Sequence, residues 1–460
     1  MTHLTTSKKH VIGVLSIGVI SVLAYLPTVD NFFIADDFGM FTILETALKT
    51  PRWFFESTTE FLRLMSYIYF AGCFILFGMT PEPYYWAGIG LHALVSILVY
   101  VLVFQLTRSS LAAWAAGIFF AAYERHQEAV MWISAANETI LTLNCLLFFL
   151  LWMKATQTQS RAWLVLAHVM LAAALLSKEA AVVLVPMAGL QLVLAGHSYR
   201  DALRKSSGLL LILAGFAALW LTVSHRNFFI TDGHYAVGWH FAPVYARSLT
   251  RLLTQMTPLF VVWIVMRARQ PRARVRVSGA GTDSAPAIFL GSLLVLAVLP
   301  YCFLTYLDHI PSRNAYLPSV GLAGIIGLLF AAVYRDMKTV GTRRLALSLL
   351  CLIVGANSAY IWLKKEPQYR ERAAPTLELI KVLNGPAIRE GLQLPIQVCR
   401  FPLDPWTFTE AVTRFTPFKS GEIVLADNCN ADGKTVLEWD QNATKYNGSF
   451  IQLSANPQSP

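Results

Sequence analysis

The stretch VIGVLSIGVISVLAYLPTVDNFFIADDFGM, residues 11–40, places two adjacent carboxylates shortly after a long apolar run. The run at 11–27 approaches the roughly 20 apolar residues that a membrane-spanning helix needs. Neighbouring carboxylates such as Asp36 and Asp37 repel each other, and each is costly to bury without a partner. Their position predicts either a solvated loop or an active site at the membrane surface.

The composition is that of a polytopic membrane protein. Of 460 residues, 55% are hydrophobic and only 14% are charged, whereas a soluble protein has about 25% charged residues. The net charge of +10 is interpreted as membrane topology, because no basic run is interleaved with exposed aromatic residues as in nucleic-acid-binding proteins. No CxxC or HExxH spacing occurs, so a zinc site is not predicted.

Hydropathy predicts about eleven spanning segments of near-bilayer length. They are 11–29, 84–107, 111–123, 131–153, 162–177, 180–195, 207–224, 245–266, 286–305, 315–334 and 344–363. Basic residues gather in every second connection, as in RARQPRARVRV at 267–277 and YRDMKTVGTRR at 334–344. By the positive-inside rule, the N-terminus is predicted to be cytoplasmic and the C-terminus external. The first run is interpreted as a retained span, because no small-residue cleavage site follows it.

The segment FLRLMSYIYFAGCFILFGMT, residues 61–80, also has a helical pattern. Counting it as a span would invert every later loop and place the basic clusters outside. It is therefore predicted to lie in the outer membrane interface, within a structured external loop at about 30–83. The predicted fold class is an all-α polytopic membrane protein of about 11 spans, with a small α+β domain at its C-terminus.

The composition changes at about residue 364, which divides the chain into a transmembrane domain at 1–363 and an external domain at 364–460. The short alternating runs LPIQVCRF, GEIVLADN and GSFIQLS predict strands in the second domain. Cys399 and Cys429 lie in its polar sequence and form the candidate disulfide of an oxidising compartment.

Ionisable residues concentrate at the predicted external ends of the spans, where charge is expensive and usually functional. The main candidates are Asp36, Asp37, Arg63, His126, Glu128, Lys178, Glu179 and Arg313. Each group also has a structural interpretation: a loop after the first span, a solvated turn, an ion pair in a hairpin, or helix caps. Asp36 and Asp37 could hold a divalent cation through water, but the sequence shows no complete oxygen cage.

Six motifs, in this order, resemble the GT-C polytopic glycosyltransferases. They are NFFIADDF, the stretch FLRLMSYIYF…LFG, YYWAGIGLHALVSILVYVL, ERHQEAVMWISAANETI, LLSKEAAVVLVP and PSRNAYLPS, which together span about 30–320. The chain most resembles the protein O-mannosyltransferases of the transmembrane–tetratricopeptide type and, more distantly, the lipid A aminoarabinose transferases. It departs from them in lacking the repeats and in having Gln127 where a proline usually follows the loop histidine.

The resemblance implies transfer of a hexose or pentose from a polyprenyl-phosphate donor to an external protein, lipid or glycan acceptor, with inversion at the sugar. It implies that Asp36 or Asp37 is the general base or an acid close to a metal ion. We favour Asp36 in this role, with Asp37 orienting a base or the substrate. The resemblance further implies two groups of residues: Arg63, Lys178 and Arg313 for the donor phosphate, and His126, Glu128 and Glu179 lining the same cleft. A bacterial inner membrane is the expected location, with a eukaryotic reticulum membrane as the alternative.

Two other classes of function remain open from the sequence. A transporter or lipid flippase would have polar residues near mid-membrane and broken helices in two related halves, which the sequence does not show. A non-catalytic assembly protein would depend on 364–460 and not on the Asp pair.

Overall fold

A computed structural model describes residues 6–50, 52, 62–225, 227–269, 284–385, 394–426 and 435–449. Most of these residues are helical. The helices are α1 (Thr6–Tyr25), α2 (Asp36–Lys49), α3 (Leu64–Phe77), α4 (Pro81–Thr107), α5 (Ser110–Ala122), α6 (Gln127–Met131), α7 (Asn137–Thr158), α8 (Arg161–Leu175), α9 (Leu184–Leu194), α10 (Tyr199–Lys205), α11 (Ser207–Ser224), α12 (Phe228–Thr231), α13 (Phe241–Leu253), α14 (Thr257–Arg269), α15 (Ala285–Val298), α16 (Pro318–Asp336), α17 (Val340–Tyr360), α18 (Glu366–Asn384) and α19 (Pro405–Phe415).

Seven helical stretches of the described chain are long and apolar enough to cross a membrane. They are Lys8–Asp30, Pro81–Thr107, Ile133–Thr158, Ser207–Ser224, Phe241–Met266, Pro318–Asp336 and Val340–Asn384. Each contains or overlaps a predicted span, which confirms the polytopic all-α fold class. The other four predicted spans fall on apolar helices of 10–17 residues, shorter than a bilayer-crossing helix usually is.

The helix α3 corresponds to the segment predicted to lie in the membrane interface. It has 14 residues, so at 1.5 Å per residue it extends about 21 Å, less than the hydrocarbon thickness of about 30 Å. Part of the preceding loop, residue 51 and residues 53–61, lies outside the described residues. The helix α3 packs with α2 and α4 in an aromatic cluster that contains Phe33, Phe41 and Tyr84.

Small residues allow the central helices of the bundle to approach closely. The sequence SLAAWAAGIFFAA makes α5 almost entirely buried. A Cβ atom added at Gly327 of α16 would lie 2.2 Å from the carbonyl oxygen of Ala112 in α5. Such close contacts favour helix association inside a membrane, where lipid tails are as apolar as the side chains and the hydrophobic effect does not bring helices together. The bundle therefore holds the ends of α4 to α7 and α16 in fixed relative positions.

A four-stranded sheet follows the last long helix. Its order is β2-β1-β3-β4, with β1 (Ile396–Cys399) parallel to β2 (Ile423–Ala426) and β3 (Val436–Asp440), and β3 antiparallel to β4 (Lys445–Ser449). The helices α18 and α19 cover this sheet through a shared apolar core. The strands predicted in LPIQVCRF and GEIVLADN are confirmed, whereas β3 was not predicted, because in VLEWD the first two residues are both buried and alternation is lost.

The third predicted strand, GSFIQLS at 448–454, overlaps the end of β4, and residues 450–460 lie outside the described residues. Cys399 is disulfide-bonded. Its predicted partner Cys429 also lies outside the described residues, so the pairing stays a prediction.

Candidate active site

A cavity of about 750 Å³ opens at the end of the bundle where α2 begins. Its described lining combines ionisable, amide and aromatic side chains with one apolar wall. The lining includes Asp36, Arg63, Tyr67, Trp132, Ser134, Asn137, Lys178, Glu179, Leu213, Phe216, Ala217, Trp220, Asn227, Tyr235, Tyr301, Tyr306, Arg313, Asn314 and Trp406. Five of the predicted site residues therefore line one cavity, although they are distributed over residues 36–313.

Asp36 is the carboxylate of the ADDF stretch that faces this cavity. It is the first residue of α2, where the helix dipole favours negative charge. The preceding residue, Ala35, has a φ of 42°, a conformation that costs a non-glycine residue about 1–3 kcal/mol. Within the described residues, no hydrogen bond or ion pair to the Asp36 carboxylate is present. The strained turn thus presents a carboxylate whose oxygens remain available for a substrate.

The electrostatic surroundings of Asp36 favour its protonated form. Burial raises the pKa of Asp36 above its ordinary value, and the neighbouring carboxylate of Asp404 raises it further. The guanidinium of Arg313 acts in the opposite direction and lowers this pKa. A raised pKa makes Asp36 a stronger base than an exposed aspartate, which suits a group that accepts a proton.

Asp37 has a different environment, because it is fully buried. One of its oxygens accepts a hydrogen bond from the backbone N–H of Ile34 at 2.9 Å, and the other accepts from the backbone N–H of Ser134 at 2.8 Å and from the Ser134 hydroxyl. Burial raises the pKa of Asp37 to about 7, against the lowering effect of these hydrogen bonds. Asp37 therefore ties the turn before α2, which carries Asp36, to the segment before α7.

Lys178 belongs to a buried polar cluster at the bottom of the cavity. Its ammonium pairs with Glu138, lies 3.3 Å from Oδ1 of Asn314 and is 4.8 Å from the ring centre of Tyr301. The Tyr301 hydroxyl donates to the other Glu138 oxygen at 2.9 Å. Burial lowers the pKa of Lys178, and the negative charge of Glu138 opposes this shift. Lys178 is accordingly a cation whose position is fixed by its partners. Both Lys178 and its neighbour Glu179 line the cavity.

Glu138 was not singled out from the sequence, although it lies inside the quoted motif ERHQEAVMWISAANETI. An acidic residue near the start of the apolar stretch NETILTLN was the available signal, because a buried carboxylate in a membrane helix needs a partner. Asn137 beside it also lines the cavity, and its buried Oδ1 has no hydrogen-bond partner within the described residues.

Arg313 and Arg63 are the other two cations of the cavity wall. The guanidinium of Arg313 stacks 5.3 Å from the ring centre of Trp132, and its backbone N–H donates to Oε2 of Glu128 at 3.0 Å. Its Nη1 is 4.0 Å from the same oxygen, which gives Arg313 one carboxylate contact and leaves other donors toward the cavity. Arg63 precedes α3 and is close enough to Lys178 to lower the pKa of that ammonium.

His126 is not among the described residues that line the cavity. The imidazole is fully buried between the rings of Phe120 and Tyr316, and its Nε2 lies 2.6 Å from the hydroxyl of Ser319. Burial lowers the pKa of His126, so the ring packs as a neutral group. Glu128 also lies outside the described lining and acts on the cavity through Arg313.

Part of the described lining of the cavity is apolar. One apolar wall is formed by Leu213, Phe216, Ala217 and Trp220 of α11, whose spacing of three and four residues places them on one helix face. A ligand of this cavity can therefore combine an anionic group near the cations with a hydrocarbon chain along α11.

In the part of the chain that the structure describes, no group of three or more His, Cys, Asp or Glu residues could hold a metal ion. The two carboxylates considered as metal ligands also point apart. Both oxygens of Asp37 accept hydrogen bonds from the protein, whereas Asp36 faces the cavity.

Two comparisons with known proteins found a similarity, one of sequence over part of the chain and one of structure. The family model described as dolichyl-phosphate-mannose-protein mannosyltransferase matches residues 64–225. A solved structure of similar fold is the archaeal oligosaccharyltransferase AglB from Archaeoglobus fulgidus in complex with an inhibitory peptide and a dolichol-phosphate. The match has a TM-score of 0.49 and 13% identity, and covers 88% of this chain and 63% of that chain. No curated protein sequence matches the chain.

Proposed function

We propose that this chain is a membrane glycosyltransferase of the GT-C type and that it transfers a sugar from a polyprenyl-phosphate donor to an acceptor hydroxyl. The single observation that carries the proposal is the composition of the cavity. One space joins the carboxylate of Asp36, which has no hydrogen bond or ion pair within the described residues, to the cations Arg63, Lys178 and Arg313 and to the apolar wall of α11. This combination fits an amphiphilic lipid phosphate that carries a sugar.

The donor would bind with its lipid along α11 and its phosphate between the cations. Arginine forms two parallel hydrogen bonds with phosphate oxygens, and Arg63 and Arg313 lie on the polar side of the cavity. Lys178 is engaged by Glu138, so it contributes mainly through its positive field. Stabilising charge that develops on the leaving phosphate is usually a large part of catalysis.

Asp36 would act as the general base. The acceptor oxygen forms a bond to the anomeric carbon as the bond from that carbon to the phosphate oxygen breaks, and Asp36 takes the hydroxyl proton. The polyprenyl phosphate leaves as an anion, so it needs no general acid when cations surround it. Attack from the side opposite the leaving group inverts the configuration at the sugar.

The proposed orientation places this cavity at the external face, with the N-terminus in the cytoplasm of a bacterial inner membrane. The argument is the charge pattern of the sequence: basic residues gather at 267–277 and 334–344, in connections that positive-inside topology assigns to the cytoplasm. The division into a transmembrane domain at 1–363 and an external domain at 364–460 belongs to the same proposal.

The proposal is tested by donor turnover. Purified protein in lipid nanodiscs is incubated with a panel of polyprenyl-phosphate sugars, and release of polyprenyl phosphate is followed by mass spectrometry. Release from one donor supports the proposal and identifies the sugar. Absence of release from every donor, together with movement of an intact donor across sealed vesicles, contradicts it in favour of a flippase.

Replacing Arg313 with Gln should lower kcat/KM for the donor by about 10–100-fold, because a hydrogen bond to a charged group contributes about 1.5–3 kcal/mol. Arg313→Lys should recover only part of this loss, because an ammonium does not form the paired contacts of a guanidinium. Arg247 is the matched control, since its side chain is 60% exposed and it pairs with Asp308 outside the cavity. Equal effects of Arg313→Gln and Arg247→Gln would contradict the phosphate role.

The acid limb of the pH–rate profile should report Asp36. A base must be ionised, so kcat/KM should fall as the pH decreases through the raised pKa of Asp36, above the usual value of about 3.9. Arg313→Gln should shift this limb to higher pH, because Arg313 lowers the pKa of Asp36. Asp404→Asn should shift it to lower pH and still cap its helix. Identical limbs in all three proteins would exclude Asp36 as the titrating group.

A further inference from the structure

We infer that Trp406 forms the acceptor side of this cavity and stacks against a pyranose ring that carries the acceptor hydroxyl. The inference rests on the proposed function and deepens it by naming the class of acceptor. Trp406 is the only described lining residue that comes from the chain after α18. It is separated by about 370 residues from Asp36 and is brought beside it by the docking of α19 on α2.

The helix α19 begins at a well-defined cap. The carboxylate of Asp404 accepts hydrogen bonds from the backbone N–H of Thr407 at 2.8 Å and from its hydroxyl at 2.6 Å, and Pro405 occupies the first turn. Both features favour a helix start at this point. Trp406 therefore projects from a fixed first turn and not from a loop.

The other end of α19 is held against α2 by charge and aromatic packing. Arg414 lies with its Nη1 2.7 Å from Glu45 and its Nε 2.6 Å from Glu410, and the hydroxyl of Thr42 donates to Glu410 at 2.5 Å. The ring of Phe415 packs 5.7 Å from the ring of Phe38, in the turn that carries Asp36. These contacts make α19 and α2 a single supported unit.

Gly39 determines where the indole lies. A Cβ atom added at residue 39 would be 1.8 Å from the ring of Trp406, so any side chain there must displace the indole. Gly39 follows Asp36 by three residues, and positions three apart share a helix face. The indole therefore rests on the same face of α2 that presents the carboxylate of Asp36.

Docking leaves 49% of Trp406 exposed at a cavity that also contains carboxylate groups. An aromatic face carries partial negative charge, so it attracts the polarised C–H groups on the apolar face of a sugar ring. Carboxylates accept hydrogen bonds from the hydroxyl groups at the ring edge, and Asp36 and Asp404 are close enough to influence each other electrostatically. A flat ring beside carboxylates is thus suited to a pyranose.

The side of the cavity formed by Trp406 is less suited to a peptide acceptor. Extended peptides commonly bind by adding a strand to a free sheet edge. None of the described lining residues belongs to β1, β2, β3 or β4. The apolar wall of α11 is assigned to the lipid of the donor. It therefore does not distinguish an acceptor sugar of a free glycan from one of a lipid-linked glycan.

The test separates acceptor binding from donor chemistry. In saturation-transfer NMR, the full-length protein in nanodiscs is presented with short soluble oligosaccharides, and separately with Ser/Thr-containing peptides. Wild type should transfer saturation to the C–H protons of one oligosaccharide class, and Trp406→Ala should lose that signal. Trp406→Phe should retain part of it. Gly39→Ala should reproduce the loss with the indole still present, and Trp239→Ala, which removes an 89% exposed indole outside the cavity, should have no effect.

In turnover assays, Trp406→Ala should raise the acceptor KM about tenfold or more, whereas Trp239→Ala should leave the acceptor KM unchanged. A lipid-linked oligosaccharide tested beside the free one distinguishes the two sources. Binding of the peptides that depends on Trp406, or sugar binding unchanged in Trp406→Ala, would overturn the inference. Because the NMR measurement needs no donor, failure of donor turnover in wild type would count against the proposed function without deciding the role of Trp406.

Discussion

Asp36→Asn is expected to reduce donor-dependent sugar transfer by about 10²–10⁴-fold, the usual contribution of a positioned proton-transfer group. The amide has nearly the shape of the carboxylate but cannot accept a proton. The Asp36 carboxylate makes no hydrogen bond within the described residues, so its replacement leaves no protein donor unsatisfied. The thermal midpoint of the purified variant should therefore equal that of wild type while polyprenyl phosphate release is lost.

The matched control is the adjacent substitution Asp37→Asn. Asp37 accepts hydrogen bonds from Ile34 and Ser134 with both of its oxygens. An asparagine has only one oxygen, and its NH₂ group would face one of these backbone N–H donors. An unsatisfied buried donor costs about 1–3 kcal/mol, so Asp37→Asn should lower the thermal midpoint. The assignment would be reversed if Asp37→Asn were stable and inactive while Asp36→Asn retained turnover.

Glu138→Gln is expected to destabilise the fold by about 3–5 kcal/mol, the usual cost of removing one partner of a buried ion pair. The pair with Lys178 is almost inaccessible to solvent, with side-chain exposures of 0% for Glu138 and 8% for Lys178. The glutamine would remove the carboxylate that pairs directly with the ammonium, and it would remove the charged acceptor of the Tyr301 hydroxyl. Thermal unfolding of the purified protein measures the loss directly.

The double variant Glu138→Leu, Lys178→Met separates stability from activity. Replacing a whole buried ion pair by apolar residues of similar size is often neutral or stabilising, so the double variant should recover most of the stability lost in Glu138→Gln. It should still turn over donor more slowly than wild type, because the cavity has lost a cation. A double variant as unstable as the single one, or one with full turnover, would contradict these roles.

The membrane helices could be predicted from the sequence because hydropathy is a local property. Each of the seven long apolar helices fell on a predicted span, and the strands β1 and β2 fell on predicted alternating runs. Asp36, which follows the first span, and Lys178, which lies within an apolar stretch, could also be selected as candidate site residues from the sequence, because charge at membrane depth is costly. These inferences need no knowledge of which helices are neighbours.

The tertiary structure alone shows the different environments of the two adjacent acids, the pairing of Glu138 with Lys178, and the position of Trp406 beside Asp36. It also shows that His126 is buried in the core and is not among the described residues that line the cavity. Each of these outcomes depends on contacts between residues that are far apart in sequence: Asp37 with Ser134, Glu138 with Lys178, and Gly39 with Trp406. A carboxylate becomes a base or a structural acceptor according to the donors that surround it, and those donors are set by helix packing, which a local pattern of residues does not contain.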